Sequence, residues 1–218
     1  MAKAIIAGAS GLIGGLLLDI LLQSSEYEKV VILVRKELPI KHKKLKQLVV
    51  DFDELEDYAA ELNGQVIFCC LGTTRKKTPD LAVYRKIDHD YPVQMAEIGL
   101  RNAVGQYHLV SALGANTGSS NFYMKTKGEV ENDITKIGLK CLHIYRPSFL
   151  SGDRTEKNRV EEKIVAVLFK VIDPLLSGRL KKYRSIPAKT VAMAMYKQSL
   201  KTQEGVFIHL SDQIKQLS

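Results

Sequence analysis

Tryptophan is missing from this chain of 218 residues, cysteine occurs three times and proline six times. With no Trp and aromatics at 7%, the sequence lacks the stacking platform that single-stranded nucleic acids require. The three thiols cannot form a disulfide framework, and no Cys or His spacing matches a zinc site. Cys69, Cys70 and Cys141 sit in apolar strand-like runs, as buried thiols of a reducing compartment do. His42, His89, His108, His143 and His209 are scattered, which reads as structural or solvated histidine rather than metal ligation. No apolar run reaches the roughly 18 residues of a membrane span. Residues 4–18 resemble a signal-peptide core, but glycines interrupt them and Asp19 bounds them, so they read as a first strand and helix. Low-complexity tracts and internal repeats are absent, and 45% hydrophobic residues suffice for a folded core. These absences predict a soluble cytoplasmic protein with no membrane partner.

One sign of charge dominates. The net charge is +8, concentrated in Lys41–Lys46, Arg75–Lys77 and Lys181–Arg184. Without aromatics among them, these runs predict solvated faces and a pocket for anionic phosphates rather than specific nucleic-acid recognition. Non-specific polyanion binding at low salt is expected.

Strand patterns fall at 3–8, 29–34, 46–50, 65–70, 106–111, 139–145 and 205–210. Helical patterns fall at 12–23, 53–61, 88–103, 121–137, 158–172 and 188–201. The alternation predicts an α/β fold of Rossmann-like type, a doubly wound parallel sheet in a single domain spanning 1–218. Within it, residues up to about 150 form a cofactor-binding core, and 151–218 a small substrate-side region with closing elements. In such a sheet the ligand crosses the carboxyl ends of the strands, where Gly8–Gly14, Arg35, Asp51, Leu71–Thr73, Ser111 and Pro147 all fall.

Gly8-Ala-Ser10-Gly11-Leu12-Ile13-Gly14 joins the first strand to an apolar helix. Strand, glycine turn and helix together aim unpaired N–H groups and a positive dipole end at a phosphate. Gly8 permits the turn, Gly11 admits a pyrophosphate, and Gly14 lets helix and strand pack closely. Arg35 follows the second strand where an acidic residue would pair with the 2′-hydroxyl of NAD. With Lys36 it would instead meet the 2′-phosphate, which favours NADPH/NADP. Tyr123 and Lys127 stand one helical turn apart, and Ser111 ends a strand twelve residues before the tyrosine. A phenol beside an ammonium, with a serine hydroxyl above the same point, can move a proton to a carbonyl oxygen.

These segments resemble the short-chain dehydrogenase/reductase superfamily, and within it the atypical branch of the Tat-interacting-protein oxidoreductases. The resemblance is carried by Gly8 to Gly14, Val49 to Tyr58, Phe68-Cys-Cys-Leu-Gly-Thr-Thr-Arg75, Asp88-His-Asp-Tyr91, Ser119 to Tyr123, Lys127-Gly-Glu-Val-Glu131 and Arg146-Pro147. It covers most of the first 155 residues and is diffuse over roughly the last 60. It implies that Asp51 hydrogen-bonds the adenine, that Leu71, Gly72 and Thr73 line the cofactor, and that Lys127 also binds the nicotinamide ribose. Pro147 and Leu150 would flank the nicotinamide. Ser148 departs from the Gly expected there. Animal members carry an additional amino-terminal segment, and functions attached to it are not expected of a chain that opens on its first strand. The implied activity is NADPH-dependent reduction of a small-molecule carbonyl substrate by Ser111, Tyr123 and Lys127, with no metal. The competing class is a non-catalytic NADPH-binding regulator acting through a protein partner. A sugar-nucleotide epimerase stands third, because fewer than 70 residues follow Leu150.

Overall fold

In the computed structural model, which describes residues 2–151, 176 and 178–218, seven parallel strands form one sheet. Its strands are β1 (Lys3–Ala7), β2 (Lys29–Val34), β3 (Leu45–Val49), β4 (Val66–Cys69), β5 (Gln106–Val110), β6 (Cys141–Arg146) and β9 (Gly205–Leu210). Their order is β3-β2-β1-β4-β5-β6-β9. The reversal beside β1 creates the switch point at which such sheets bind ligands. A two-residue pair, β7 (Leu150–Ser151) with β8 (Ile186–Pro187), stands apart from the sheet.

Period-2 alternation divides the strands between two cores. Ala4, Ile6, Val30, Ile32 and Phe68 face α1 (Leu12–Gln23) and α5 (Ala188–Ser199), meeting Leu17, Leu18, Leu21, Val191 and Met195. Ile5, Ala7, Val31, Leu33 and Ile67 face α3 (Tyr91–Arg101) and α4 (Phe122–Lys136), meeting Met95, Ile98, Val130 and Ile134. The central strands are apolar throughout because both faces are covered. Packing α5 against α1 makes the carboxyl-terminal residues part of the same layers. A last helix, α6 (Ser211–Leu217), follows β9.

Two helical expectations are corrected. Residues 53–61 lie in a 3-10 segment, Phe52–Glu61, broken at Glu54 (φ −119°, ψ 39°), with Asp51 accepting from the Asp53 N–H at its start. The helix expected at 88–103 begins earlier, as α2 (Leu81–Arg85), and passes through a π turn at Lys86–Asp90 before α3. Pro92 supplies the cause. It has no N–H for the Asp88 carbonyl four residues back and its ring crowds that oxygen. The backbone widens by one residue, and the Tyr91 N–H reaches the Lys86 carbonyl instead. Asp88 and His89 are thereby turned inward and buried. The helix expected at 158–172 lies outside the described residues.

Candidate active site

Gly8 ends β1 with φ +87°, a conformation that L side chains rarely adopt. A Cβ there would lie 2.5 Å from the Cys70 carbonyl oxygen, so the turn is pressed against the end of β4. The Gly11 N–H closes the turn on the Gly8 oxygen at 2.9 Å. A Cβ on Gly14 would stand 2.2 Å from that same oxygen, which ties α1 to the turn at a distance only glycine allows. Among the described residues no side chain caps the start of α1, and Ser10 and Gly11 are exposed beside it. The first-turn N–H groups, including those of Leu12 and Ile13, are thus offered to an anion, and the cradle fits a dinucleotide diphosphate. Arg35 and Lys36 are exposed just past β2, and Asp51 is exposed just past the adjacent β3.

Across the turn, the loop after β4 is pinned by three contacts. The Thr73 N–H donates to Asp88 Oδ2 at 2.8 Å, the Tyr84 hydroxyl donates to the Thr73 carbonyl at 3.2 Å, and Thr73 Oγ1 and Thr78 Oγ1 are 2.8 Å apart. Asp88 Oδ1 lies 2.9 Å from Lys127 Nζ, with the two side chains only 1% and 5% exposed. That contact is a buried ion pair. A Cβ on Gly72 would sit 3.5 Å from Asp88 Oδ1 and 3.9 Å from Lys127 Nζ, so the pair lies beneath the bare backbone of Gly72. Burial draws the Lys127 pKa down, but the Asp88 charge and the nearby Tyr123 together carry it above the ordinary lysine value. Tyr123 is half-buried in the first turn of α4, whose N-cap Asn121 accepts from the Met124 N–H at 3.1 Å. Next to it, Tyr84 packs edge-on against Phe122 at 5.4 Å, and burial followed by the charges of Asp88 and Tyr123 raises its pKa.

Ser111 is buried just past the end of β5, and its hydroxyl donates to Glu131 Oε1. Arg146 grips that carboxylate from the other side, its Nε 3.0 Å from both oxygens. Tyr123, Lys127 and Glu131 thus form one stripe along α4. Gly128 allows the stripe to face Ser111: a Cβ there would meet the Asn116 carbonyl carbon and Thr117 nitrogen at 2.4 Å, so the loop after β5 lies directly on the helix. Pro147 is buried and its carbonyl accepts from the Leu113 N–H at 2.9 Å, while Leu150 is half-buried in β7. Ser148, where glycine was expected, donates its N–H to Ser211 Oγ at 2.6 Å and its hydroxyl to the Arg184 carbonyl.

Asp88, Glu131 and Arg146 lie in segments that carry the family resemblance but were given no site role from sequence, and Tyr84 was not singled out. The available signal was Asp88 itself, an acidic residue in an otherwise apolar helical phase just before Pro92. Among the described residues there is no group of three or more His, Cys, Asp or Glu able to hold a metal, and no helix long and apolar enough to cross a membrane.

A family model described as NAD(P)H-binding matches residues 8–198. Protein HTATIP2 of Rattus norvegicus is 34% identical over 194 residues, covering 87% of this chain and 78% of that protein. Protein FMP52, mitochondrial, of Saccharomyces cerevisiae is 34% identical over 160 residues, covering 72% and 69%. The protein of the same name from Coccidioides immitis is 31% identical over 218 residues, covering 94% and 88%. Among solved structures, the Bordetella bronchiseptica enzyme WbmH in complex with NAD+ superposes with a TM-score of 0.73 at 16% identity, covering 99% of this chain and 79% of that one. At that identity the likeness concerns the fold, a Rossmann-type sheet. The fungal names overturn the expectation of a cytoplasmic protein, which rested only on composition and the lack of a leader pattern.

Proposed function

The chain belongs to the NAD(P)H-binding family, and we propose that it is an NADPH-dependent oxidoreductase that reduces a small carbonyl compound. The observation that carries this reading is Lys127, a lysine buried one turn from Tyr123 beneath the loop that would line the cofactor. Burying an ammonium costs several kcal/mol unless it is paired, and Asp88 supplies the charge that holds Lys127 in that position.

When bound, the dinucleotide supplies a hydride. The chain supplies the rest. The Gly8–Gly14 turn and the open end of α1 hold the diphosphate, Arg35 and Lys36 meet the 2′-phosphate, and Asp51 the adenine. Leu71, Gly72, Thr73, Pro147 and Leu150 line the bound group, and Lys127 holds the ribose hydroxyls. Tyr123 donates its phenolic proton to the substrate oxygen as that oxygen gains charge. Ser111 hydrogen-bonds the same oxygen once its hydroxyl turns away from Glu131. The names of the fungal relatives support a mitochondrial setting for this activity.

One observation favours a second reading. A serine hydroxyl has a single proton, and Ser111 gives it to a carboxylate already held by Arg146. A protein that binds NADPH and signals through a partner, without turnover, needs no free Ser111 proton. Incubating the purified protein with NADPH and a panel of aldehydes, ketones and quinones separates the two. Carbonyl-dependent NADPH oxidation is expected; tight NADPH binding with none across the panel would favour the regulator.

A further inference from the structure

We propose that the lysine-lined depression at the amino ends of β1, β2 and β3 is a second anion site, separate from the cofactor turn, and that it takes a compact small molecule carrying several phosphate groups. The depression holds about 410 Å³ and is lined by Lys3, Lys29, Lys43, Lys44 and Lys46, with Glu28 the one carboxylate among its lining residues. That volume lies within the roughly 300–1,000 Å³ of small-molecule sites. The five residues of β1 separate it from the glycine turn by about 16 Å of strand, so phosphates held at the turn do not reach it.

Parallel register gathers the charges. Lys3 and Lys29 are partners in the β1–β2 ladder, and Lys46 on β3 pairs with Val31, two residues along β2, so the three side chains leave the same face of the sheet. Like charges set side by side cost stability unless something neutralises them. Three of the ammonium groups are already positioned. Lys3 Nζ donates to the Glu61 carbonyl and to Asn63 Oδ1, both at 2.8 Å, and Lys44 Nζ donates to the Ser24 carbonyl at 2.5 Å. Lys46 Nζ lies 2.6 Å from the Glu61 carboxylate. An ammonium has three protons, so each of these held groups keeps at least one to offer a ligand. Lys29 and Lys43 are exposed, and among the described residues neither has a carboxylate within ion-pair distance. With Glu28 and Glu61 both counted, three positive charges remain without a counter-charge. Burial lowers the Lys3 pKa, Glu61 raises it, and Lys29 and Lys46 lower it again, leaving it below the ordinary lysine value, as befits a cation among cations. No aromatic ring lines the depression, so it offers no platform on which a nucleobase could stack. Lysine meets phosphate as a point charge, without the planar fork of arginine, so a site of lysines reads charge density above all. A concave site of that kind suits a compact polyphosphate rather than an extended strand or a flat membrane surface.

The test is calorimetric titration with inorganic tripolyphosphate at about 0.15 M salt, where contacts between exposed charges are largely screened beyond about 8 Å. NADPH is present at saturation so that the glycine turn is filled. One tripolyphosphate should bind per chain, at least tenfold more tightly than inorganic phosphate. Lys29→Glu combined with Lys43→Glu changes two exposed side chains and should weaken binding about tenfold or more. Lys181→Glu combined with Lys189→Glu alters the net charge equally at other exposed positions and should leave binding as it was. Equal losses in the two variants would overturn the proposal, because net charge alone would then govern binding. So would tripolyphosphate that binds only when NADPH is left out, which would place it at the glycine turn. Tighter binding of a single-stranded oligonucleotide or of acidic phospholipid vesicles, lost with Lys29 and Lys43, would also overturn it and assign the lysines to an extended partner. If NADPH itself does not bind, the cofactor reading fails while the two lysine variants still judge the depression.

Discussion

Arg35 stands exposed at the end of β2, beside the glycine turn, with no carboxylate in the position that would repel a 2′-phosphate. Its guanidinium is expected to set cofactor choice. Arg35→Asp should weaken NADPH binding by about 10- to 150-fold, the equivalent of about 1.5–3 kcal/mol for a hydrogen bond to a charged group. NADH binding should change little, so the preference narrows or reverses; fluorescence titration of both cofactors measures it, and equal affinities in the unaltered protein would remove the role. Residues of this kind were legible from sequence, because their position at a strand end follows from local pattern alone. The glycine turn from Gly8 to Gly14 and the one-turn spacing of Tyr123 and Lys127 on α4 were legible from local pattern as well, as placements rather than roles. Asp88, Glu131 and Arg146 were not legible as site residues, since their roles come from partners 39, 20 and 15 positions away. Ser111 was placed correctly at the end of its strand, but its hydroxyl's engagement with Glu131 depends on how α4 lies across the loop, which no local spacing encodes.

At the scale of elements, the π turn before α3 joins backbone chemistry to the site. Pro92→Ala restores an N–H that can bond the Asp88 carbonyl, so a regular helix becomes available through this stretch. Asp88 would then rotate off Lys127. The expected outcome is NADPH affinity lower by about tenfold, the loss of one well-placed charged contact, with the far-ultraviolet circular dichroism spectrum unchanged. Unaltered affinity would show that the turn does not place Asp88. A second element-scale feature is a ladder of rings at one level of the sheet. Phe68, His108, His143 and Phe207 are register partners on β4, β5, β6 and β9, and His108 stacks on His143 at 4.6 Å. The His143 Nδ1 to His209 Nε2 distance is 2.9 Å. Burial, and then the charges of His209 and Lys201, lower the His143 pKa to about 4, and His108 and His209 shift the same way. A histidine that is harder to protonate when folded contributes stability above its unfolded pKa of about 6.5, lost as pH falls toward its folded value. His143 alone should remove about 2 kcal/mol between pH 7 and pH 5. Urea unfolding at the two pH values measures this, and His143→Phe should flatten the dependence. The histidines look scattered in sequence because only the parallel register brings them to one level.

Over the whole molecule, the fold was the most legible part. Seven apolar segments separated by helical patterns permit few arrangements once crossovers are right-handed, and the observed strand order is one of them. What could not be read was local backbone geometry governed by single residues, as in the 3-10 segment after Asp51 and the π turn at Pro92. The charge distribution was also only partly legible. Lys3, Lys29, Lys43, Lys44 and Lys46 gather around a surface depression of about 410 Å³ at the amino ends of β1 to β3, opposite the cofactor turn. Cofactor phosphates therefore do not account for that part of the net charge. At the carboxyl ends of the strands the proposed reduction depends on Tyr123. The most direct test is the rate of carbonyl-dependent NADPH oxidation in the unaltered protein and in Tyr123→Phe, with NADPH affinity measured on both. Affinity should be nearly equal and turnover lower by about 10²–10⁴-fold, the usual contribution of a general acid. Turnover that survives the loss of the phenolic proton unchanged would contradict the account.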